Sequence, residues 1–266
     1  MAPLKLYYDG CSQPARSCVW AVHANNATDK VELIFTDLAK GETRTPEFLA
    51  MNPYHTVPTL KDEENGVVLY ESGAILQYLA EKLNWTKITI PKDDVVARAK
   101  AINYLHFHHG KVRGQMCKEV FYPYILPLFV PGTPVDREAI AKGIKKAEDE
   151  WLGHFDKSLG DNGGYIAGNY PTLADLQCFT ELYYYTSNPE GLGLYNFDKY
   201  DNIKAWIEKL RKFEGFEVSY SLSISTSAPD SKVLRYLVLY HCHRMLTRVL
   251  PTSSAMPRPP LVTLKY

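Results

Sequence analysis

Strand-like apolar runs and helix-spaced apolar positions alternate along the first third of the chain, and only the helical spacing persists beyond it. LKLYY (4–8) and VELIFT (31–36) are short and apolar enough for strands. Between them, Pro14 to Asn25 has the length of a helix, with Cys18, Val19 and Val22 on one side, which predicts a β-α-β unit. After a helical TPEFLAMN, the runs VPTLK (57–61) and VVLY (67–70) flank the polar turn DEENG and predict an antiparallel hairpin. ESGAILQYLAEKL (71–83) then spaces Ile75, Leu76, Leu79 and Leu83 for a helix, with Ser72 as its N-cap. This order predicts one small mixed sheet with helices packed on it, over residues 1–84.

NWTKITIPKDD (84–94) has the proline and polar character of a linker, and strand signals end there. Four later stretches carry apolar residues at three- and four-residue intervals: VVARAKAINYLHFHHGKVRGQM, DREAIAKGIKKAEDEWLGHFDKSL, TLADLQCFTELYYYT and DNIKAWIEKLRKF. They predict an all-helical domain over 92–218. From 219 to 266 serine and threonine crowd together, and six bases (Lys232, Arg235, Arg244, Arg248, Arg258, Lys265) face one acid, Asp230. That tail is expected to be disordered or irregular, with at most a short helix near 232–249.

Composition narrows the function classes. At 266 residues with 45% hydrophobic content, the chain is long enough for two cores. Thirty basic and thirty acidic residues cancel, so no global field favours nucleic acid or an anionic membrane. No run approaches the roughly 20 apolar residues that span a bilayer. Five scattered cysteines without a C-x-x-C pair fit neither a disulfide framework nor a zinc site and point to a reducing compartment, the cytoplasm. His106 and His109 share a helical face but lack a third ligand, so no metal is expected. The chemistry is concentrated in DGCSQPARSC (9–18), where Cys11 and Ser12 stand at a predicted helix start, a position that favours an anion.

SQPxR after the first strand, NPYHTVPTL, ESGAILQYL and YIAGNYPTLADL, in that order, resemble the glutathione transferases, nearest the theta and delta classes. The resemblance covers about residues 4–218. It implies an α/β thioredoxin-like N-terminal domain plus an all-α C-terminal domain, glutathione as co-substrate with no other cofactor, a small electrophile as partner and a homodimer. The dimer surface would come from the helix at 71–83 and from VVARAKAINYLHF. The implied reaction is conjugation of the glutathione thiolate to small electrophiles, with peroxidase activity on organic hydroperoxides as an extension.

The resemblance assigns thiol activation to Ser12. The β-augmentation contact with the cysteinyl part of glutathione falls to Val57 and Pro58, whose peptide bond is cis in the family, and the reach toward the glycyl carboxylate to His55 and Thr56. Glu71 takes the γ-glutamyl ammonium and Ser72 its carboxylate. Tyr104, His108 and Arg113, on the fourth helix, are expected in the acceptor pocket. Thr172 with Asp175 is a capping-box start and is left out of the active site. Cys11 is the rival nucleophile, since other classes use a cysteine five residues before the arginine; it would give a thiol transferase or reductase. A non-catalytic binding module or ligand carrier is the third reading. Thr43 and Ile102 depart from the theta pattern, which often has a histidine and an acid there.

Overall fold

The computed structural model describes residues 4–38, 40–125, 127, 134–186 and 192–224. Strands β1 (Leu4–Tyr8), β2 (Val31–Phe35), β3 (Thr59–Asp62) and β4 (Val67–Leu69) form one sheet in the order β2-β1-β3-β4. β1 and β2 run parallel, whereas β1/β3 and β3/β4 are antiparallel. The register sets Leu6 opposite Leu60 and Leu33, so the two fully buried leucines, Leu6 and Leu60, share the core face. β3 begins two residues later than the sequence predicts, after Pro58, which has no N–H for the ladder.

Helices α1 (Gln13–Ala24), α2 (Pro46–Met51) and α3 (Ser72–Lys82) complete the first domain. α1 is buried along almost its whole length because it is shared between two domains. Its Trp20 ring meets Phe179 at 5.2 Å and Phe216 at 5.8 Å, both in the helical domain, and its Nε1 donates to the Glu214 carbonyl at 2.8 Å. The predicted linker is part of this packing. Trp85, Ile88 and Ile90 are buried, and the Asn25 amide exchanges two hydrogen bonds with the Ile88 backbone.

The helical domain contains α4 (Val95–Phe107), α5 (Arg137–Ala147), α6 (Gly153–Asp161), α7 (Leu173–Leu182), α8 (Asp201–Leu210) and α9 (Phe216–Ile224). The two long helices predicted at 95–116 and 136–159 are interrupted by π-helical turns at His108–Arg113 and Glu148–Leu152, and a third such turn, Cys117–Phe121, directly follows the first stretch. Three- and four-residue spacing does not betray a wider turn, because one inserted residue only shifts the phase of the pattern. The capping box at Thr172 and Asp175 is present, and the buried Asp175 also accepts from Ile166 N and Trp206 Nε1. α9 crosses the expected boundary at 218: Ser219 and Tyr220 are buried, and Tyr220 packs on Phe216 and Tyr183. Aromatic packing within α9 thus extends the helical body beyond the point where serine content suggested a tail. The rest of that expectation, 225–266, lies outside the described residues.

Close approach of the turn at 117–121 to α5 depends on Gly143, where a Cβ would collide with the Glu119 carbonyl oxygen. Gly143→Ala is expected to cost about 1–3 kcal/mol through overpacking. Gly153→Ala, in open space, should be neutral or stabilising by up to ~1 kcal/mol. Urea denaturation of both variants checks the contrast; equal midpoints would contradict it.

Candidate active site

The loop from Asp9 to Ser12 leaves β1 and enters α1 under restraint from both ends. Buried Asp9 accepts from Cys11 N at 2.9 Å and Leu38 N at 3.0 Å, and its carbonyl accepts from Ser12 N at 3.1 Å. From the first turn of α1, Arg16 Nη1 donates to the Gly10 carbonyl at 2.9 Å. The Arg16 guanidinium lies between the rings of Tyr184 (4.9 Å) and Tyr220 (5.2 Å), and Nη2 reaches the Thr180 carbonyl of α7 at 3.5 Å. Ser12 is thereby fixed as the N-cap of α1. Its Oγ accepts from Ala15 N at 3.4 Å and donates to the Val57 carbonyl at 3.4 Å. Both contacts are long against the usual 2.7–3.0 Å, so the hydroxyl proton is held loosely.

The carbonyl that Ser12 meets belongs to a second restrained segment. Val57–Pro58 is cis, and His55 sits at φ 46. Asn52, fully buried, donates through Nδ2 to Thr56 O (3.2 Å), Thr56 Oγ1 (3.3 Å) and Thr59 Oγ1 (2.9 Å), and Thr59 Oγ1 donates to Thr56 O at 2.8 Å. Sequence reasoning missed Asn52 and Asp9 as supports, although each is the first residue of a stretch that it used. An Asn-Pro pair ahead of an X-Pro turn was the available signal.

At the start of α3 the N-cap is Glu71, without a side-chain cap bond, rather than Ser72. Ser72 is the first helical residue and is buried; its Oγ accepts from Gln177 Nε2 of α7 at 3.1 Å. The tertiary partner decides the position, since a serine turned into the domain interface cannot fold back on its own helix. Glu71 stays exposed, with His109 Nε2 4.0 Å from its carboxylate.

The expected acceptor-pocket residues are placed differently from the expectation. Tyr104 is buried against Phe107, His108 and Phe155, at ring separations of 6.1, 6.0 and 5.8 Å. His108 is 1% exposed, on the inward side shared with Leu105 and Val112, and the neighbouring His109 is the one that faces α3. Arg113 is committed to the buried Glu181 at 2.9 Å, which also accepts from Tyr185 Oη (3.2 Å) and Cys117 Sγ (3.4 Å). Burial opposes ionisation of Glu181, but Arg113, His108 and the Cys117 hydrogen bond together hold the carboxyl below its ordinary value. At Cys11, burial and then the Asp9 carboxylate push the thiol well above its usual range, the opposite of what a nucleophilic cysteine needs. Among the described residues no three His, Cys, Asp or Glu side chains converge on a metal position.

A restrained serine at a helix start, packed against the carbonyl before a cis proline, can donate to an anion and present a backbone edge to an extended peptide. The family model for the glutathione S-transferase N-terminal domain matches residues 12–82, and the C-terminal domain model matches 114–213. Human glutathione S-transferase theta-2 is 34% identical over 217 residues, covering 81% of this chain and 83% of that protein. The chain belongs to the glutathione S-transferases. Among solved structures, human glutathione S-transferase T1-1 in apo form superposes with a TM-score of 0.73 at 28% identity, covering 90% of this chain and 98% of that one. Human glutathione transferase theta-2, solved with glutathione and an unknown ligand, gives 0.70 at 30% identity over 94% and 93%. The enzyme is theta-like, with glutathione as its co-substrate, and no helix among the described residues is long and apolar enough to cross a membrane.

Burial pushes the His108 imidazole down to about 3, with Glu181 opposing and Arg113 and His109 reinforcing. An unfolded histidine titrates near ~6.5, so below that pH the unfolded chain binds the proton that the folded chain refuses. Stability is therefore expected to be full above that pH and to fall progressively from pH ~6.5 towards 3. His108→Gln should flatten this limb in urea midpoints measured between pH 7 and 4, and an unchanged slope would contradict the assignment.

Proposed function

We propose that the chain conjugates glutathione to small electrophiles such as alkyl halides, epoxides or isothiocyanates, with Ser12 activating the thiol. The observation that carries this reading is the Ser12 hydroxyl, loosely donated to the Val57 carbonyl at 3.4 Å at the start of α1. An extended cysteinyl backbone pairing with Val57 would take that carbonyl as its own acceptor. The displaced Ser12 proton then turns to the glutathione sulfur. Lowering a thiol by about two pKa units requires roughly 2.7 kcal/mol. A hydrogen bond to the thiolate supplies ~1.5–3 kcal/mol, and the N-terminus of α1 adds ~0.3–1 kcal/mol, which is sufficient.

In this reading His55, Thr56, Val57 and Pro58 hold the cysteinyl-glycine end, and Glu71 and Ser72 the γ-glutamyl end. The thiolate attacks the electrophilic carbon, the leaving group departs with its electron pair, and the proton of the thiol has already gone to solvent. The same thiolate would reduce an organic hydroperoxide, two glutathiones giving their disulfide, an alcohol and water. The raised Cys11 thiol disfavours the thiol-transferase alternative. We further assign the enzyme to the cytoplasm as a homodimer built on α3 and α4. The exposed Val95 and Val96 at the start of α4 support that surface.

Ser12→Ala is expected to raise the pKa of bound glutathione by about 1–2 units and to lower kcat/KM roughly ten- to hundredfold. Thiolate absorbance of the binary complex and the conjugation rate measure the two effects. Wild-type values for both would refute the assignment. Replacing Val95 and Val96 together with glutamate should shift the sedimentation coefficient towards that of a monomer; an unaltered dimer would remove α4 from the interface.

A further inference from the structure

Gln177 lies on α7 in the helical domain, 105 positions from Ser72, yet its Nε2 donates to the Ser72 Oγ at 3.1 Å. Gln177 is 1% exposed, and its Oε1 has no hydrogen-bond partner. Gly73 borders this contact: a Cβ there would meet Gln177 Oε1 at 3.6 Å and His109 Nε2 at 3.7 Å, both ordinary contact distances, so the amide and the imidazole lie directly beside the start of α3. A buried amide with one half unpaired is costly, so this arrangement does not recommend itself on stability grounds.

What the contact does is orient a proton. A serine hydroxyl has one hydrogen to donate and two lone pairs to accept with. Ser72 is buried, so solvent does not set its rotor. With one lone pair taken by Gln177 Nε2–H, the hydroxyl hydrogen points away from the amide. The first N–H groups of α3 have no carbonyl within the helix to bond, and together with the hydroxyl hydrogen they make a donor set for a carboxylate. We propose that Gln177 is a positioning residue of the helical domain that commits the Ser72 hydroxyl to the α-carboxylate of the γ-glutamyl group. This rests on the reading of the site as a glutathione site. It makes co-substrate affinity depend on how the two domains are docked, and it leaves Ser12 and the thiolate untouched.

Calorimetric titration with glutathione and with 4-aminobutyryl-cysteinylglycine, which lacks only that carboxylate, tests the assignment. Gln177→Leu should weaken glutathione roughly tenfold, about the loss of one charge-assisted contact, and leave the affinity for the analogue within about twofold of wild type. Gln177→Glu, whose carboxylate would accept the Ser72 proton and repel the ligand, should weaken glutathione further while still sparing the analogue. Apparent KM for glutathione should rise in both variants, with kcat at saturation and the pKa of the bound thiol unchanged. Equal losses for both ligands would mean general damage to the domain interface and would overturn the proposal, as would an unchanged affinity for glutathione in a folded Gln177→Leu. If the wild-type enzyme binds neither ligand, the glutathione-site reading fails first and takes this inference with it; equal wild-type affinity for the two would overturn this inference alone.

Discussion

Arg16 is a buried cation held by carbonyl oxygens and aromatic faces, and the geometry of the site follows from that one placement. Its guanidinium ties the Gly10 carbonyl, one residue before the Cys11–Ser12 pair, to the Thr180 carbonyl of the helical domain, with Tyr184 and Tyr220 on its faces. A desolvated cation–π contact contributes on the order of 2 kcal/mol, and a charged hydrogen bond to a carbonyl ~1.5–3 kcal/mol. These terms compensate the loss of hydration of the guanidinium only while both domains are in contact. Separating them would strand the charge and release the loop that sets Ser12 against Val57.

The other contacts between the domains work in the same direction. Trp20 is anchored by the Glu214 carbonyl, Asn25 by the Ile88 backbone, and Ser72 by Gln177. α1 therefore has no solvent face of the kind an ordinary surface helix keeps. The segment at 84–94 reads as a linker by composition and is packed as part of the interface. A thioredoxin-like domain of this size could in principle fold alone. Here the arginine that braces its Asp9–Ser12 loop is itself held by the partner domain.

What was legible in the sequence was what local pattern encodes. Alternation and helical spacing locate all four strands and α1 and α3 to within about two residues, and the capping box at Thr172 is written in consecutive residues. The failures concern long-range partners. Ser72 looks like an N-cap because serine before an apolar run usually is one; only Gln177, distant in sequence, reveals why it is turned inward. His108 continues the buried helical row of Ala101, Tyr104, Leu105 and Val112, but spacing alone does not say whether that row faces a pocket or closed packing. The serine-rich stretch after Val218 conceals Tyr220, whose ring completes the aromatic packing around Phe179 and Tyr183.

The distribution of charge around Ser12 also has a consequence for rate. An attacking thiol is most effective when its pKa lies near the ambient pH, because nucleophilicity falls as the thiolate is stabilised further. A full cation pointed at the sulfur would overshoot this optimum. The arginine of α1's first turn is committed elsewhere, to the Gly10 and Thr180 carbonyls, and Arg113, expected from the sequence in the acceptor pocket, is paired with Glu181. What remains for the sulfur is a neutral hydroxyl and the end of a helix, which together give roughly 2–4 kcal/mol. If Ser12 activates the thiol as proposed, a thiolate stabilised by that amount would be largely ionised at neutral pH and still reactive, which would account for a serine, and neither the adjacent cysteine nor an arginine, at this position.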